Sequence, residues 1–146
     1  MSLVRNFHQV RIGGWILAAT LVGVAAPLAA LAQTSTDATA TRSSSDQGVT
    51  VKVTPKLIGL IDNRWEFSIA LDTHGAGLSD DLTQSATLTT SDGRTIKPAS
   101  WTGAAPGGKH REGVLAFEMP APRPATIELR ISRPGESAPR TFRWQL

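Results

Sequence analysis

The sequence predicts an all-β fold, a seven-stranded antiparallel immunoglobulin-like sandwich that follows a signal peptide. Three observations predict it: apolar and polar residues alternate in short runs after Val49, turn residues separate these runs at regular intervals, and the runs lack helical periodicity. Each run has one apolar face, so we expect two sheets to bury these faces against each other.

Seven runs have the alternation that is typical of half-buried strands. In chain order they are 49–53, 65–71, 86–90, 95–101, 114–119, 127–131 and 142–146. Asp92-Gly93 predicts a tight turn between the third and fourth strands, because this pair readily adopts positive φ. We expect Pro98 to end or bulge the fourth strand, since proline lacks the N–H that a central strand donates.

Three tryptophans, Trp65, Trp101 and Trp144, lie in or beside these runs. We interpret them as core residues, and an aromatic platform that binds carbohydrate is the alternative. One domain over 49–146 is large enough to fold on such a core.

The first 32 residues have the three parts of a secretory signal peptide. Arg5 and Arg11 give a charged start, an apolar run occupies 12–31, and the small-x-small motif ending at Ala32 suits signal peptidase. We expect cleavage after Ala32 and a periplasmic or secreted product, which contacts the membrane only through this segment before cleavage. An uncleaved anchor is the alternative, because 12–31 is about long enough to span a bilayer.

Residues 33–48 are predicted to be a disordered linker. Eight of the fifteen residues from 33 to 47 are serine or threonine, and none is large and apolar. Such a segment buries too little surface to offset the entropy that ordering costs. The sandwich domain is therefore expected to begin at Val49.

Composition excludes several classes of site and partner. The chain contains no cysteine, which excludes disulfides, thiolate zinc sites, iron–sulfur clusters and a cysteine nucleophile. Its 15 basic and 12 acidic residues become 13 and 12 once Arg5 and Arg11 leave with the signal peptide. A nucleic-acid binder needs a concentrated basic face, so we expect no nucleic-acid partner.

Antiparallel connectivity predicts that three loops share one end of the sandwich. Every second loop lies at the same end, which groups the segments 72–84, 102–112 and 132–139 opposite the Asp92-Gly93 turn. Both histidines of the mature chain, His74 and His110, are in this group. Loops on a rigid scaffold often carry function, so this end is the candidate site.

The first hypothesis for this end is a divalent metal site. His74, His110 and Asp72 would supply two imidazoles and a carboxylate, a set that suits zinc or copper. The alternative is that both histidines bind loop backbone and hold the loops in place. Calcium is not supported, because the segment 72–81 lacks the full series of oxygen ligands.

The second hypothesis is a site for an anion or a polar partner. Gly107 and Gly108 allow backbone N–H groups to turn outward, and Lys109 and Arg111 add positive charge beside them. The alternative is an ordinary flexible loop in which Arg111 faces solvent.

Catalysis has little support, and the chain is predicted not to be an enzyme. Ser79, His74 and Asp72 are close in sequence, but no nucleophile elbow surrounds the serine. We therefore predict no catalytic residue.

Two motifs carry a resemblance to a known group of proteins. The combination Leu-Asp-Thr-His at 71–74 and Gly-Gly-x-His-Arg at 107–111 resembles a family of small uncharacterised exported bacterial proteins. In that family a second histidine often stands at the position of Lys109, and a serine often follows the first histidine, where this chain has Gly75. The resemblance implies no activity, and it implies that Lys109 weakens any metal site by replacing an imidazole.

The sequence thus favours an exported non-enzymatic binding or interaction module of the cell envelope, with an envelope protein as its partner. The module would act through the end that carries His74 and His110. The alternative function is a periplasmic copper- or zinc-binding protein that uses the same side chains. An exposed edge strand is the alternative partner surface.

Overall fold

The computed structural model describes residues 37–59 and 63–146. The predicted signal peptide, its cleavage site and residues 33–36 of the predicted linker lie outside the described residues. Within the described ranges, no helix is long and apolar enough to cross a membrane.

The described residues form nine strands and one short helix. The strands of the first half are β1 (Arg42–Asp46), β2 (Val49–Leu57), β3 (Arg64–Thr73), β4 (Ala86–Thr90) and β5 (Thr95–Ile96). The others are β6 (Ser100–Gly103), β7 (His110–Glu118), β8 (Thr126–Ile131) and β9 (Arg140–Gln145), and the helix α1 (Leu82–Ser85) precedes β4. One sheet has the order β1-β2-β3-β7-β6 and the other β5-β4-β8-β9.

The strand order is that of an immunoglobulin-like sandwich. The run β2-β3-β7-β6 follows the A-B-E-D sheet of an immunoglobulin constant domain, and β4-β8-β9 follows its C-F-G sheet. All strand pairs are antiparallel. The predicted all-β sandwich is confirmed, and the predicted count of seven strands is wrong, because two further strands are present.

One additional strand results from a division of the predicted fourth strand. Residues 95–96 form β5 in the second sheet, and residues 100–103 form β6 in the first. Pro98 lies between them, where its missing N–H interrupts the ladder and the chain crosses from one sheet to the other.

The other additional strand, β1, lies inside the segment predicted to be a disordered linker. Over residues 42–46 that prediction is wrong. β1 pairs along its whole length with β2, from Arg42 opposite Val53 to Asp46 opposite Val49. The backbone of β1 makes these hydrogen bonds with β2. They order β1, which has no apolar side chain to bury.

The core lies between the sheets and consists of the inward residues of each strand. Trp65 and Trp144 are buried, as predicted, and Trp101 packs partly buried against the core. The ring of Phe67 meets that of Phe117 edge to face, with centroids 5.7 Å apart. This geometry is favourable for aromatic pairs and gives the loops above it a fixed base.

Candidate functional site

The predicted meeting of loops at one end of the sandwich is confirmed. The backbone N–H of Leu78 donates to Gly108 at 2.9 Å, and that of Gly107 donates to Leu78 at 2.7 Å. Arg133, in the turn before β9, pairs with Asp80 at 2.8 Å. We call the surface formed by residues 72–81, 104–112 and 132–139 the loop end.

Asp72 and His110 form the central polar pair of the loop end. They are direct partners in the β3–β7 register, because both strands extend further than the sequence predicted. Asp72 Oδ1 lies 2.5 Å from His110 Nδ1, and both side chains are about half exposed. Glu112 Oε2 lies 3.9 Å from His110 Nε2, on the other side of the ring.

The carboxylates around His110 change its titration. The hydrogen bond with Asp72 raises the pKa of His110, and the negative charges of Asp72 and Glu112 raise it further. A larger fraction of this imidazole is therefore cationic near neutral pH than in an isolated histidine. The pair is a charged, hydrogen-bonded feature on the surface of the loop end.

His74 stands apart from this pair. It follows β3, its side chain is exposed, and its backbone N–H donates to Gly48 at 3.4 Å. The predicted set of His74, His110 and Asp72 is not assembled as a metal centre: in the part of the chain that the structure describes, no group of three or more histidines and carboxylates is placed to hold a metal ion.

Arg111 is buried, with 1% relative exposure, so its predicted role in binding a partner or anion is wrong. The alternative that it faces solvent is wrong for the same reason. Because β7 begins at His110, Arg111 is a strand residue that points inward. Its Nη1 donates to the carbonyl of Asp80 at 2.6 Å and its Nη2 to that of Ala104 at 3.3 Å. Arg111 therefore ties two loops together from the inside.

Gly107 and Gly108 make contacts within the loop end. Gly107 and Gly108 have positive φ, 122° and 70°. The N–H of Gly107 is used by Leu78, so the predicted anion nest lacks that donor. Lys109 remains fully available on the surface, since it is exposed.

A buried chain of ion pairs lies beneath the loop end, and the sequence analysis missed it. It runs from Asp80 to Arg133, then to Glu136 and Arg140, and no side chain in it is more than 8% exposed. Arg140 Nη1 continues the chain to the carbonyl of Val49 at 2.8 Å. The hydrogen bond from Arg140 lowers the pKa of Glu136. The only sequence signal was the i,i+3 and i,i+4 spacing of Arg133, Glu136 and Arg140.

A cleft of about 290 Å³ opens beside this chain. It lies between the turn after β1 and the loop after β3, and its walls include Gln47, Thr73, Ser79 and Arg133. Small residues, the side chains of Thr73 and Ser79, and the ion pair of Arg133 and Glu136 thus line a depression at the rim of the loop end.

Small residues dominate the exposed part of the two longer loops. Glycine, alanine and proline supply most of it: Gly75, Ala76, Gly77, Ala104, Ala105, Pro106, Gly107 and Gly108. The exposed surface of the loop end therefore consists largely of small residues, from which a few longer polar side chains project.

No family model and no curated protein matches this chain. Among solved structures, MPT63, a secreted protein from Mycobacterium tuberculosis, is similar over 73% of this chain and 92% of that chain, at 15% identity and a TM-score of 0.44. A likeness at this level carries no argument about activity or partner. The fold assignment follows from the strand order, and the resemblance based on the two loop motifs stays a prediction.

Proposed function

We propose that this chain is an exported, non-enzymatic interaction module that binds an envelope protein through the loop end. The observation that carries the proposal is the Asp72–His110 pair, a half-exposed charged pair held on adjacent strands above a rigid, buried support. Export rests on the sequence of the first 32 residues.

The composition of the loop end favours binding to a macromolecule. Glycine, alanine and proline lose no side-chain rotamer freedom when a partner covers them. Long side chains each cost roughly 0.5–1.5 kcal/mol to immobilise at an interface. The exposed stretches 75–77 and 104–108 avoid this cost, so a partner could pack closely on their backbone.

The rigidity of the loop end favours binding in the same way. Backbone hydrogen bonds join Leu78 to Gly107 and Gly108, and Arg111 joins the loops from within. A surface that is already ordered does not have to be ordered by its partner, which improves affinity without additional contacts.

Polar groups of the loop end supply specificity. Lys109, His110 and Glu112 are exposed beside each other at the start of β7 and on the loop before it. The cleft beside Arg133 offers a depression for one side chain of the partner. Interfaces often concentrate their binding energy where a central side chain fills such a depression.

Capture of partners from envelope extract tests the proposal. The mature chain serves as bait beside three variants: His110→Ala, Asp72→Asn and, as a control at the far end, Thr95→Ala. We expect one protein to be enriched by wild type and by Thr95→Ala and lost with both loop-end variants, all four baits having native circular dichroism. Equal enrichment by all four baits would place the interaction elsewhere.

A metal-binding protein is the second candidate, and one observation favours it. Asp72 holds Nδ1 of His110, which leaves Nε2 directed toward Glu112. A carboxylate bound to the far nitrogen of a histidine is typical of metal-ligating histidines. His110 and Glu112 would be the ligands, and copper or zinc the ion.

Thermal melting with and without Zn²⁺ or Cu²⁺ separates the two candidates. Metal that binds the folded state preferentially raises the melting temperature. A rise that disappears in both His110→Ala and Glu112→Gln supports the metal site. An unchanged melting temperature, or a rise that persists in both variants, removes it.

A further inference from the structure

The strand β1 is attached to the sandwich mainly by its backbone groups, and one side-chain hydrogen bond joins it to β2, between the hydroxyls of Ser45 and Thr50. Its five residues are Arg, three serines and Asp, and none of them is in the buried apolar core. Among the described strands, β1 forms one edge of the first sheet and pairs there with β2 alone. Its removal would therefore leave the apolar core between the sheets intact.

The groups that hold β1 and the segment before it come from the last strand, β9. Arg140 donates to the carbonyls of Ser44 and Asp46 at 2.9 and 2.8 Å. The indole Nε1 of Trp144 donates to the carbonyl of Ala40 at 2.7 Å. These donors bind main-chain carbonyl groups, so the same carbonyls of a second copy could accept the same hydrogen bonds.

The turn that connects β1 to β2 is strained. Asp46 pairs with Val49, which leaves a two-residue turn made of Gln47 and Gly48. Their φ values are 47° and 75°. A turn of this kind favours asparagine, aspartate or glycine at its first position, and Gln47 has a Cβ that clashes in this conformation.

We propose that β1 is an exchangeable strand, and that two copies of the mature chain form a dimer by swapping it. In the dimer, Gln47 and Gly48 extend, and β1 of each copy pairs with β2 and binds Arg140 of the other. The contacts of β1 with β2 and with Arg140 are kept, while the strained Gln47 of each copy relaxes. Short strained hinges are known to favour such exchange.

The swap would bring two loop ends together. The carbonyl of Gly48 accepts from His74 N–H, so the hinge lies directly beside the loop after β3. Two copies joined at this hinge would present their loop ends next to each other. The inference concerns assembly and does not depend on the proposed function of the loop end.

Hinge variants test the proposal by sedimentation velocity after refolding at high concentration. Gln47→Gly removes the strain and should lower the association constant of the dimer by about 30-fold or more, since each dimer relaxes two hinges. Gln47→Pro forbids positive φ and should make the dimer the main species. Equal monomer–dimer ratios in wild type and Gln47→Gly would overturn the proposal, whether or not Gln47→Pro folds.

A disulfide reports which copy supplies β1. The hydroxyls of Ser45 and Thr50 are 2.8 Å apart across the β1–β2 pair, and the chain has no cysteine of its own. We expect the oxidised Ser45→Cys/Thr50→Cys protein to give a covalent dimer on a denaturing non-reducing gel from the dimer fraction and a covalent monomer from the monomer fraction. Intramolecular disulfides alone in both fractions would overturn the swap.

Discussion

Arg133 donates from Nε and Nη2 to the two carboxylate oxygens of Asp80, at 2.8 and 3.2 Å. The two residues belong to the turn before β9 and to the loop after β3, and the carboxylate of Asp80 is fully buried. A bidentate ion pair of this kind fixes both the distance and the relative orientation of the two side chains. It therefore holds two of the three segments of the loop end at a constant separation.

Loss of this pair should destabilise the fold. Asp80→Asn leaves the Arg133 guanidinium buried with one fewer carboxylate, and removing one partner of a buried pair costs about 3–5 kcal/mol. Urea unfolding measures the free energy of unfolding directly. Glu118→Gln, at an exposed carboxylate on β7, is the control and should stay within about 0.5 kcal/mol of wild type. A similar small effect for Asp80→Asn would contradict the structural role of the pair.

Substitution by methionine should lower the free energy of unfolding at Arg111 and leave it nearly unchanged at the nearby Lys109. Arg111→Met leaves the carbonyl of the buried Asp80 without this donor, at a cost of about 1–3 kcal/mol. The carbonyl of the exposed Ala104 keeps the indole N–H of Trp101 as a donor. Lys109→Met changes an exposed side chain and should have little effect on the free energy of unfolding. Equal effects of the two substitutions in urea unfolding would show that Arg111 does not support the loops.

The sequence predicted the strands well where one face is apolar. Val51 and Val53, and then Phe67 and Ile69, alternate with polar residues and are indeed buried. β1 was not predicted because it has no apolar face, and the groups that hold it in addition to β2 lie in β9, about a hundred residues away along the chain.

Arg111 shows how the prediction of the site went wrong and how it could have been improved. The strand pattern in the sequence begins at Val114, which places Arg111 in the loop 102–112 as an apparent surface cation. The inward alternation of Leu115 and Phe117, extended back by two and four residues, reaches Arg111. The buried ion chain had only the spacing of Arg133, Glu136 and Arg140 as a local signal, and its link to Asp80 is set by tertiary structure.

The titration of His110 should depend on Asp72. Because the hydrogen bond with Asp72 raises the pKa of His110, Asp72→Asn should lower that pKa toward the ordinary value. Glu112→Gln should lower it less, since Glu112 Oε2 is 3.9 Å from the ring. NMR titration of the imidazole protons gives both values. A pKa that is the same in wild type and Asp72→Asn would refute the pairing.

The same shift predicts how stability depends on pH. The pKa of His110 is higher in the folded state than in the unfolded chain, so the pair stabilises the fold fully below the unfolded value of about 6.5. This contribution is lost as the pH rises through the folded pKa. The stability difference between wild type and Asp72→Asn, measured by urea unfolding, should therefore be larger at acidic than at alkaline pH. A difference that grows with rising pH would contradict this sign.

Gly113 should not tolerate a methyl group. A Cβ there would lie 2.6 Å from Trp101 Cζ2 and 2.7 Å from Gly103 Cα, because β6 and β7 approach closely at this pair. Overpacking of this kind costs typically about 1–3 kcal/mol, so Gly113→Ala should lower the melting temperature. Gly75→Ala is the control, since its nearest atom, Thr73 Oγ1, is 3.8 Å away. Equal melting temperatures for both variants would contradict the close approach.

Photo-crosslinking from single cysteines tests most directly whether the loop end binds a partner. The chain has no native cysteine, so a photoreactive label can be placed at Ala105→Cys in the loop end or at Thr95→Cys on β5, both exposed positions. With envelope extract, we predict a discrete adduct from position 105, its loss when His110→Ala is added, and no such adduct from position 95. The same adduct from both positions, or none from position 105, would contradict the account.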